Sequence, residues 1–382
     1  MTVCPYSLSR PGGVQSQAVG LTRALAARGH QATLYAPLDH PGDAPIGIDF
    51  ESAGHSLPVR SNGSVAPVAL SPAAAVRSTR AIRAGRPDVV HVHEPFAPGV
   101  PLALLAGHNR FPVVATFHRS GRSAWYSLLR PVTSRLAAHL AIRCAVSDAA
   151  RTTARDALGG EYQVLFNGVE VDRLHSSVPW PTDRPALLFL GRHEARKGLA
   201  VLLAAFEREL QKGGSANLGD HPRPVLWIAG DGPLTDSLRS RYPENDDRRW
   251  LGVLSEDEKT RRLAAAELVC VPSLAGESFG MVLLEAMAAG TVVVASDIEG
   301  YRDAAGDSAV LVAPGDVDAW TGALDGVLSG RLAVASNGPG VDGDGRSRWL
   351  ASAAARAERW SMARLAECYE RVYQSAVAEA GG

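Results

Sequence analysis

Two stretches in the second half of the chain carry charged residues placed as a polyphosphate site would need them. In the run from Gly191 to Gly198, "GRHEARKG", Arg192 follows an apolar segment that reads as a strand, and Lys197 opens a segment that reads as a helix. Two cations converging with the unpaired amides of a helix start form a phosphate cradle. Alone, such a pair is an ordinary exposed ion-pair partner. Residue usage favours the cradle: the chain has only three lysines, Lys197, Lys212 and Lys259, against 36 arginines, so a compact ammonium here departs from the chain's habit. In "GESFGMVLLE", Glu277 precedes a helix and Glu285 lies inside it. If Gly280 and Met281 turn their amides to a phosphate, Glu285, about one turn further in, can accept hydrogen bonds from a ribose, while Glu277 reaches the group beyond the phosphate. Either glutamate alone is a surface residue near a cap; the Ser278-Phe279-Gly280 setting favours binding.

A glycine turn lies near the start. "RPGGVQ" places Gly12 and Gly13 between the apolar Val3-Cys4-Pro5-Tyr6 and a helical pattern over Val14–Gly29, leaving backbone amides bare toward a ligand. The spacing is not G-x-G-x-x-G, which weakens a dinucleotide oxidoreductase reading.

Short apolar and β-branched runs alternate with helical stretches around these motifs. Gln31–Pro37, Asp88–His93, Pro112–His118, Leu140–Ser147 and Tyr162–Phe166 read as strands of a parallel α/β domain. "SSVPWPTDRP", with Pro179, Pro181 and Pro185, reads as the linker. The alternation restarts with "ALLFLG", "PVLWIAG", "RRWLGV", "LVCVPS", "TVVVASD" and "AVLVAP", each but the last two followed directly by a helical pattern. "QKGGSANLGDHPRP" and "SNGPGVDGDGR" read as insertions without structure of their own. A tail helix puts Met362, Leu365, Tyr369, Val372 and Tyr373 on one face, which must dock. The expected domains are residues 1–174, 175–360 and a returning helix over 361–382. Two such α/β domains bind ligands at the carboxyl ends of their strands, in a central cleft.

Composition narrows the function. At 382 residues the chain has length for two cores. Its four cysteines stand alone, with no CxxC pair, so neither a zinc site nor a disulfide framework is implied, and a reduced cytoplasmic setting fits. No signal peptide and no apolar run of membrane-spanning length is read, so membrane contact is expected to be peripheral. The first strand is short, which leaves an upstream start open. Residues 1–170 hold 16 arginines, no lysine and ten acidic residues, a net of +6; the chain's total of −1 leaves −7 for residues 171–382. Without aromatic interleaving or an arginine cluster this argues against nucleic acid and for an anionic acceptor or membrane surface, with a solvated arginine-rich face as the alternative. Arg77, Arg80 and Arg83, beside Val76 and Ile82, are the candidate face.

These pieces together resemble a known family. "PGGVQS", "GRHEARKG", "GDGP" at Gly230–Pro233, "GESFGMVLLEAMAAGTVVVASD" and the Glu277/Glu285 pair are similar to GT-B glycosyltransferases of the retaining family-4 type. Within it, "VCPYSLSRPGGVQSQ", "NGSVA", "HVHEPFAP", "VATFH", "AVSD" and "WSMARLAECYERVY" resemble the actinobacterial phosphatidylinositol α-mannosyltransferases. The resemblance implies two Rossmann-like domains, transfer of mannose from GDP-mannose to a phosphatidylinositol-type lipid at the inner face of the cell membrane, no cofactor and no metal. It implies that the Gly13 amide, Arg192, Arg196 and Lys197 hold the diphosphate. Leu254, Ser255, Glu256 and Lys259 line the guanine pocket. Glu277, Ser278, Phe279, Gly280 and Met281 hold sugar and phosphate, and Glu285 the ribose. His118 faces the transferred sugar, catalytic with Glu277; as a lone histidine it also reads as a core residue at a strand end. Tyr6, Gln15 and Asn62 meet the acceptor. The chain departs from the family on that side: Pro67 stands where an arginine usually follows "GSVA", and Arg119 and Arg122 follow the histidine where a threonine and a lysine are usual. Arg119 and Arg122 then replace the missing cation or select another anionic acceptor. A non-transferring enzyme on nucleotide sugars and a nucleotide-sugar-binding subunit remain the other classes.

Overall fold

The protein is described from a computed structural model covering residues 1–10, 12–61, 64–107, 109–119, 130–213, 223–277, 279–330 and 343–381. It forms two compact units, Met1–Gly168 with Met362–Gly382, and Val169–Ser361. The first runs β1 (Thr2–Val3), α1 (Gly13–Ala27), β2 (Thr33–Ala36), β3 (Asp49–Ser52), β4 (Leu57–Ser61), β5 (Ser64–Val68), α2 (Pro72–Ala84), β6 (Val90–His93), α3 (Val100–Leu105), β7 (Val113–Phe117), α4 (Arg130–Ala137), β8 (Ile142–Ala145), α5 (Asp148–Leu158) and β9 (Gln163–Val164). The second runs α6 (Val171–His175), β10 (Ala186–Leu190), α7 (Leu199–Gly213), β11 (Val225–Ala229), α8 (Thr235–Arg241), β12 (Arg248–Gly252), α9 (Glu256–Ala265), β13 (Leu268–Val271), α10 (Met281–Ala288), β14 (Val292–Ser296), α11 (Glu299–Ala305), β15 (Val310–Val312), α12 (Val317–Leu328) and α13 (Gly343–Ala357); α14 (Met362–Gly381) belongs to the first unit.

Each unit is built on one parallel sheet. The strand orders are β3-β2-β1-β6-β7-β8-β9 and β12-β11-β10-β13-β14-β15. A parallel strand covered by helices on both faces has no wet side, and the sequence obeys: β11, β13 and β14 are buried at every residue. One core layer joins Leu188, Trp227 and Val269 to Leu283 and Met287 of α10. The opposite layer joins Leu187, Leu226 and Cys270 to Phe206 of α7 and Trp320 of α12. Helix starts are set by side chains accepting from backbone amides: Ser71 for α2, Ser147 for α5, Ser255 for α9 and Asp316 for α12.

The units divide at Gly168/Val169, ahead of the proline-rich stretch expected as linker and ahead of the boundary after residue 174. The stretch belongs to the second unit because Trp180 is held there: its amide donates to the Arg261 carbonyl, and Arg261 and Arg262 cover its ring at 4.9 and 4.3 Å. On the other side, Gln17 donates to the Gly168 carbonyl and accepts from its amide, at 2.8 and 2.7 Å. Four further expectations are corrected. The first unit carries an antiparallel hairpin, β4–β5, whose alternation of apolar residues with proline and arginine hid the strands. The last two strands are each followed by a helix, α11 and α12, and Gly343–Arg346 of the second expected insertion is helical. The arginine face of α2 is split: Val76 is exposed, but Ile82 is fully buried and Arg83 donates to Asn109 Oδ1.

The tail helix docks on the first unit. Met362, Leu365, Tyr369 and Val372 are buried against Leu21 and Leu25 of α1 and Val114 of β7. At its rim, Glu370 accepts two bonds from Arg28, at 2.6 and 2.8 Å, and lies 2.8 Å from His30. The Arg28 guanidinium first, then His30, holds the Glu370 carboxyl down at about 2. A depressed carboxylate pKa contributes stability that is present above the unfolded value and lost as pH falls toward the folded one. Glu370→Gln is therefore expected to lose stability at pH 7 on the scale of one surface ion pair, and urea melts of parent and variant to converge as pH approaches 2.

Candidate active site

The strand orders locate the sites. In the second unit the order reverses between β10 and β13, where a parallel sheet opens a crevice at its carboxyl edge. The loops leaving those two strands, Gly191–Gly198 and Pro272–Gly280, carry the charged residues. Arg192 pairs with Glu194 at 2.7 Å, and Arg196 bridges Glu194 at 2.9 Å and Glu277 at 2.7 Å. Lys197 Nζ meets the same Glu277 oxygen at 2.6 Å. Three cations thus share two carboxylates, and the site keeps a net positive charge. The Leu274 amide donates to the Arg196 carbonyl, tying the two loops together. Gly198 makes this approach possible: its φ is +68°, and a Cβ there would stand 1.8 Å from the Pro272 carbonyl oxygen.

The helix behind the second loop supplies the rest. Gly280, at φ +74°, precedes α10, and a Cβ on it would meet the Tyr301 ring at 2.9 Å. Tyr301 is itself fixed by donating to Ser273 Oγ at 2.7 Å. Glu285, within α10, accepts from Lys259 at 3.1 Å, and Glu256 lies 2.8 Å from the same ammonium. Burial alone would lower the Lys259 pKa; Glu285 and then Glu256 outweigh it and hold the ammonium charged.

Several expected donor residues also have structural partners. Leu254 is buried in the core, and Ser255 caps α9 by accepting from the Glu258 amide. Phe279 is half-buried, edge-on to Trp360 at 6.1 Å, and braces the loop. Met281 packs against the core under α10. Ser278 lies outside the described residues. The "GDGP" turn packs against His193, which sequence reasoning missed: Thr235 donates to Asp231 at 2.7 Å, so His193 Nδ1, at 2.8 Å, donates to Thr235.

In the first unit the order reverses between β1 and β6, and the turn after β1, Glu94 after β6 and His118 after β7 gather there. The exposed Gly13 begins α1. The steric demand falls on its neighbour, since a Cβ on Gly12 would stand 2.4 Å from Gln15 Oε1. Gln15 is buried, donating its amide to the Ser7 and Arg10 carbonyls, and so staples the turn. Tyr6 is half-buried. Burial first, then the Glu94 carboxylate, raises its pKa well above the ordinary range, with Arg119 opposing, so Tyr6, Glu94 and Arg119 share one neighbourhood. Asn62 and Arg122 lie outside the described residues. His118 Nε2 is 2.8 Å from His93 Nδ1, and the His118 amide donates to Glu94 Oε1 at 2.7 Å. Glu94 has φ +48°, an uncommon backbone state for a residue with a side chain, kept where the surroundings enforce it. His93 and Glu94 were missed as site residues. The available signal was two histidines at alternate positions of an otherwise apolar strand, a buried polar pair that must find partners.

Among the described residues no group of three metal-ligating side chains is gathered, and no helix is long and apolar enough to cross a membrane.

Residues 11–173 match the family described as Glycosyltransferase Family 4, and residues 170–337 match Glycosyl transferases group 1. A glycosyltransferase from Rickettsia africae superposes with a TM-score of 0.66 at 15% identity, over 98% of this chain and 97% of that one. Two parallel-sheet Rossmann-like units, together with both family matches, make the protein a GT-B glycosyltransferase. The phosphatidyl-myo-inositol mannosyltransferase of Mycolicibacterium smegmatis is 36% identical over 98% of this chain and 92% of its own length, and that of Mycobacterium leprae 37% identical over 98% and 96%. The chain belongs to the family of actinobacterial phosphatidyl-myo-inositol mannosyltransferases.

Proposed function

We propose that this enzyme transfers mannose from GDP-mannose to a phosphatidylinositol lipid, with retention at the anomeric carbon, while bound peripherally to the inner face of the cell membrane. The observation that carries this reading is the sharing of Glu277 by Arg196 and Lys197 beside the start of α10. A diphosphate presents the anionic oxygens those cations now find in a carboxylate. On donor binding, Lys197, Arg196 and Arg192 take the diphosphate, and Glu277 is released to accept from sugar hydroxyls. Glu285 accepts from the ribose, and the α9 start with Glu256 and Lys259 meets the guanine. Breaking the glycosyl–phosphate bond builds negative charge on the departing diphosphate, and fixed cations aimed at that charge lower the barrier. The mannosyltransferase relatives at 36 and 37% identity support the sugar and the acceptor class.

On the acceptor side, His118 faces the transferred sugar, and Tyr6, Asn62, Arg119 and Arg122 meet the lipid headgroup. Pro67, where the family carries a cation, spends its carbonyl on the Ser7 amide at 2.9 Å, so Arg119 and Arg122 supply the charge for the lipid phosphate. The test is incubation with radiolabelled GDP-mannose and phosphatidylinositol vesicles. Label in glycolipid is expected; label only in free mannose or in a soluble glycoside, or no turnover, would overturn the reading. Arg119→Ala with Arg122→Ala is expected to abolish transfer to lipid and leave slow hydrolysis of GDP-mannose. Vesicle binding by the parent should weaken with salt, because exposed charges are screened beyond about 8 Å at physiological ionic strength.

A further inference from the structure

Behind the end of β7, the first unit stacks three histidines against the tail helix. The His118 and His93 rings stack at 5.1 Å, His91 lies 4.4 Å behind His93, and Tyr369 of α14 lies 4.6 Å from His91. His91 is held at both nitrogens, by Thr116 Oγ1 at 2.7 Å and the Tyr373 hydroxyl at 2.8 Å. His93 is held at one. Its Nδ1 meets His118 Nε2 at 2.8 Å, and its Nε2 is buried with no partner among the described residues.

That asymmetry decides where the protons sit. Burial keeps all three rings neutral, lowering His91 and His118 to about 3 and His93 well below its ordinary value. A neutral imidazole carries one N–H. A proton on His93 Nε2 would leave a buried donor with no acceptor, and orphaned buried N–H groups are rarer than orphaned acceptors. The proton therefore sits on His93 Nδ1 and is donated to His118 Nε2. His118, its Nε2 accepting, carries its own proton on Nδ1.

We propose that His93 is a positioning residue that fixes His118 as the Nδ1–H tautomer, so that His118 offers the transferred sugar a hydrogen-bond donor and not a base. This rests on the reading that His118 faces that sugar. One contact fixes the ring and two support it: His93 sets its proton, Glu94 clamps the His118 backbone amide, and His91, braced by Thr116 and Tyr373, backs the His93 ring. Arg119, next in the chain, and Glu94 are the charged groups beside it, and with His118 neutral the pH–rate profile has no limb from this histidine between pH 5 and 8.

The test is nitrogen NMR of imidazole-labelled protein, combined with two substitutions. In the parent, His118 is expected to show a protonated Nδ1 and a bare Nε2 from pH 5.5 to 8. His93→Asn keeps an amide N–H near the place of Nδ1 and should keep both the tautomer and turnover within a few-fold of the parent. His93→Leu removes the donor; it should mix the tautomers and lower kcat by about 10- to 100-fold, the scale of losing an orienting partner, with little change in KM for the nucleotide sugar. A protonated Nε2 on His118 in the parent, a titration near neutral pH, or a leucine variant as active as the parent would overturn the proposal. If the leucine variant does not fold, the parent spectrum and the asparagine variant decide. A parent with the expected spectrum but no sugar transfer would overturn the function and with it the role of His93 in catalysis, leaving the proton placement standing.

Discussion

Lys197→Ala is expected to remove nearly all turnover and most of the affinity for GDP. Lys197 is a half-buried ammonium 2.6 Å from Glu277, so its charge is screened less than that of a surface lysine, and a fixed cation at a departing diphosphate is worth about 2–4 kcal/mol of transition-state stabilisation. The fold should survive the change, because Glu277 keeps Arg196 at 2.7 Å and no carboxylate is left unpaired. Calorimetric titration with GDP and initial rates with GDP-mannose measure both effects. Unchanged affinity and rate would remove Lys197 from the site, and with it the reading of "GRHEARKG".

The second large effect is on the backbone that holds this lysine. Gly198→Ala is expected to cost about 4 kcal/mol of stability, in the range of severe single substitutions, and to weaken GDP binding as the Lys197 turn shifts. Two terms add: φ of +68°, and a new Cβ 1.8 Å from the Pro272 carbonyl oxygen, which no side-chain motion relieves. Gly252 is the control. It has φ +67° but nothing within 4 Å of its added Cβ, so Gly252→Ala should cost only the backbone term, about 1–2 kcal/mol. Urea unfolding of both variants separates the terms. Equal losses would show that closeness to Pro272 is not what requires glycine at 198.

The parallel sheets were legible because their strands are continuous apolar runs, and a strand buried on both faces admits no other pattern. β3 and the β4–β5 hairpin were hard to read for the opposite reason: Asp49, Glu51 and Ser52 are exposed, and the hairpin interrupts its apolar positions with Pro58, Arg60 and Pro67. The units divide ahead of the expected boundary because prolines signal an extended chain and not where that chain packs; Trp180 packs through Arg261 and Arg262, far along the sequence.

The candidate site divides the same way. Arg192, Lys197, Gly280 and Glu285 could be singled out from local spacing, and Arg196 from the resemblance, since a turn between a strand and a helix creates its amides and cations within a few residues. The sequence by itself therefore determined the class of elements, the charged turns at the strand ends and the family. Tertiary structure alone decided that one carboxylate, Glu277, holds two of the cations and that His93 lies against His118. Those are pairings between residues from different strands, brought together by sheet order and by the tail helix, and no periodicity within a single segment encodes them.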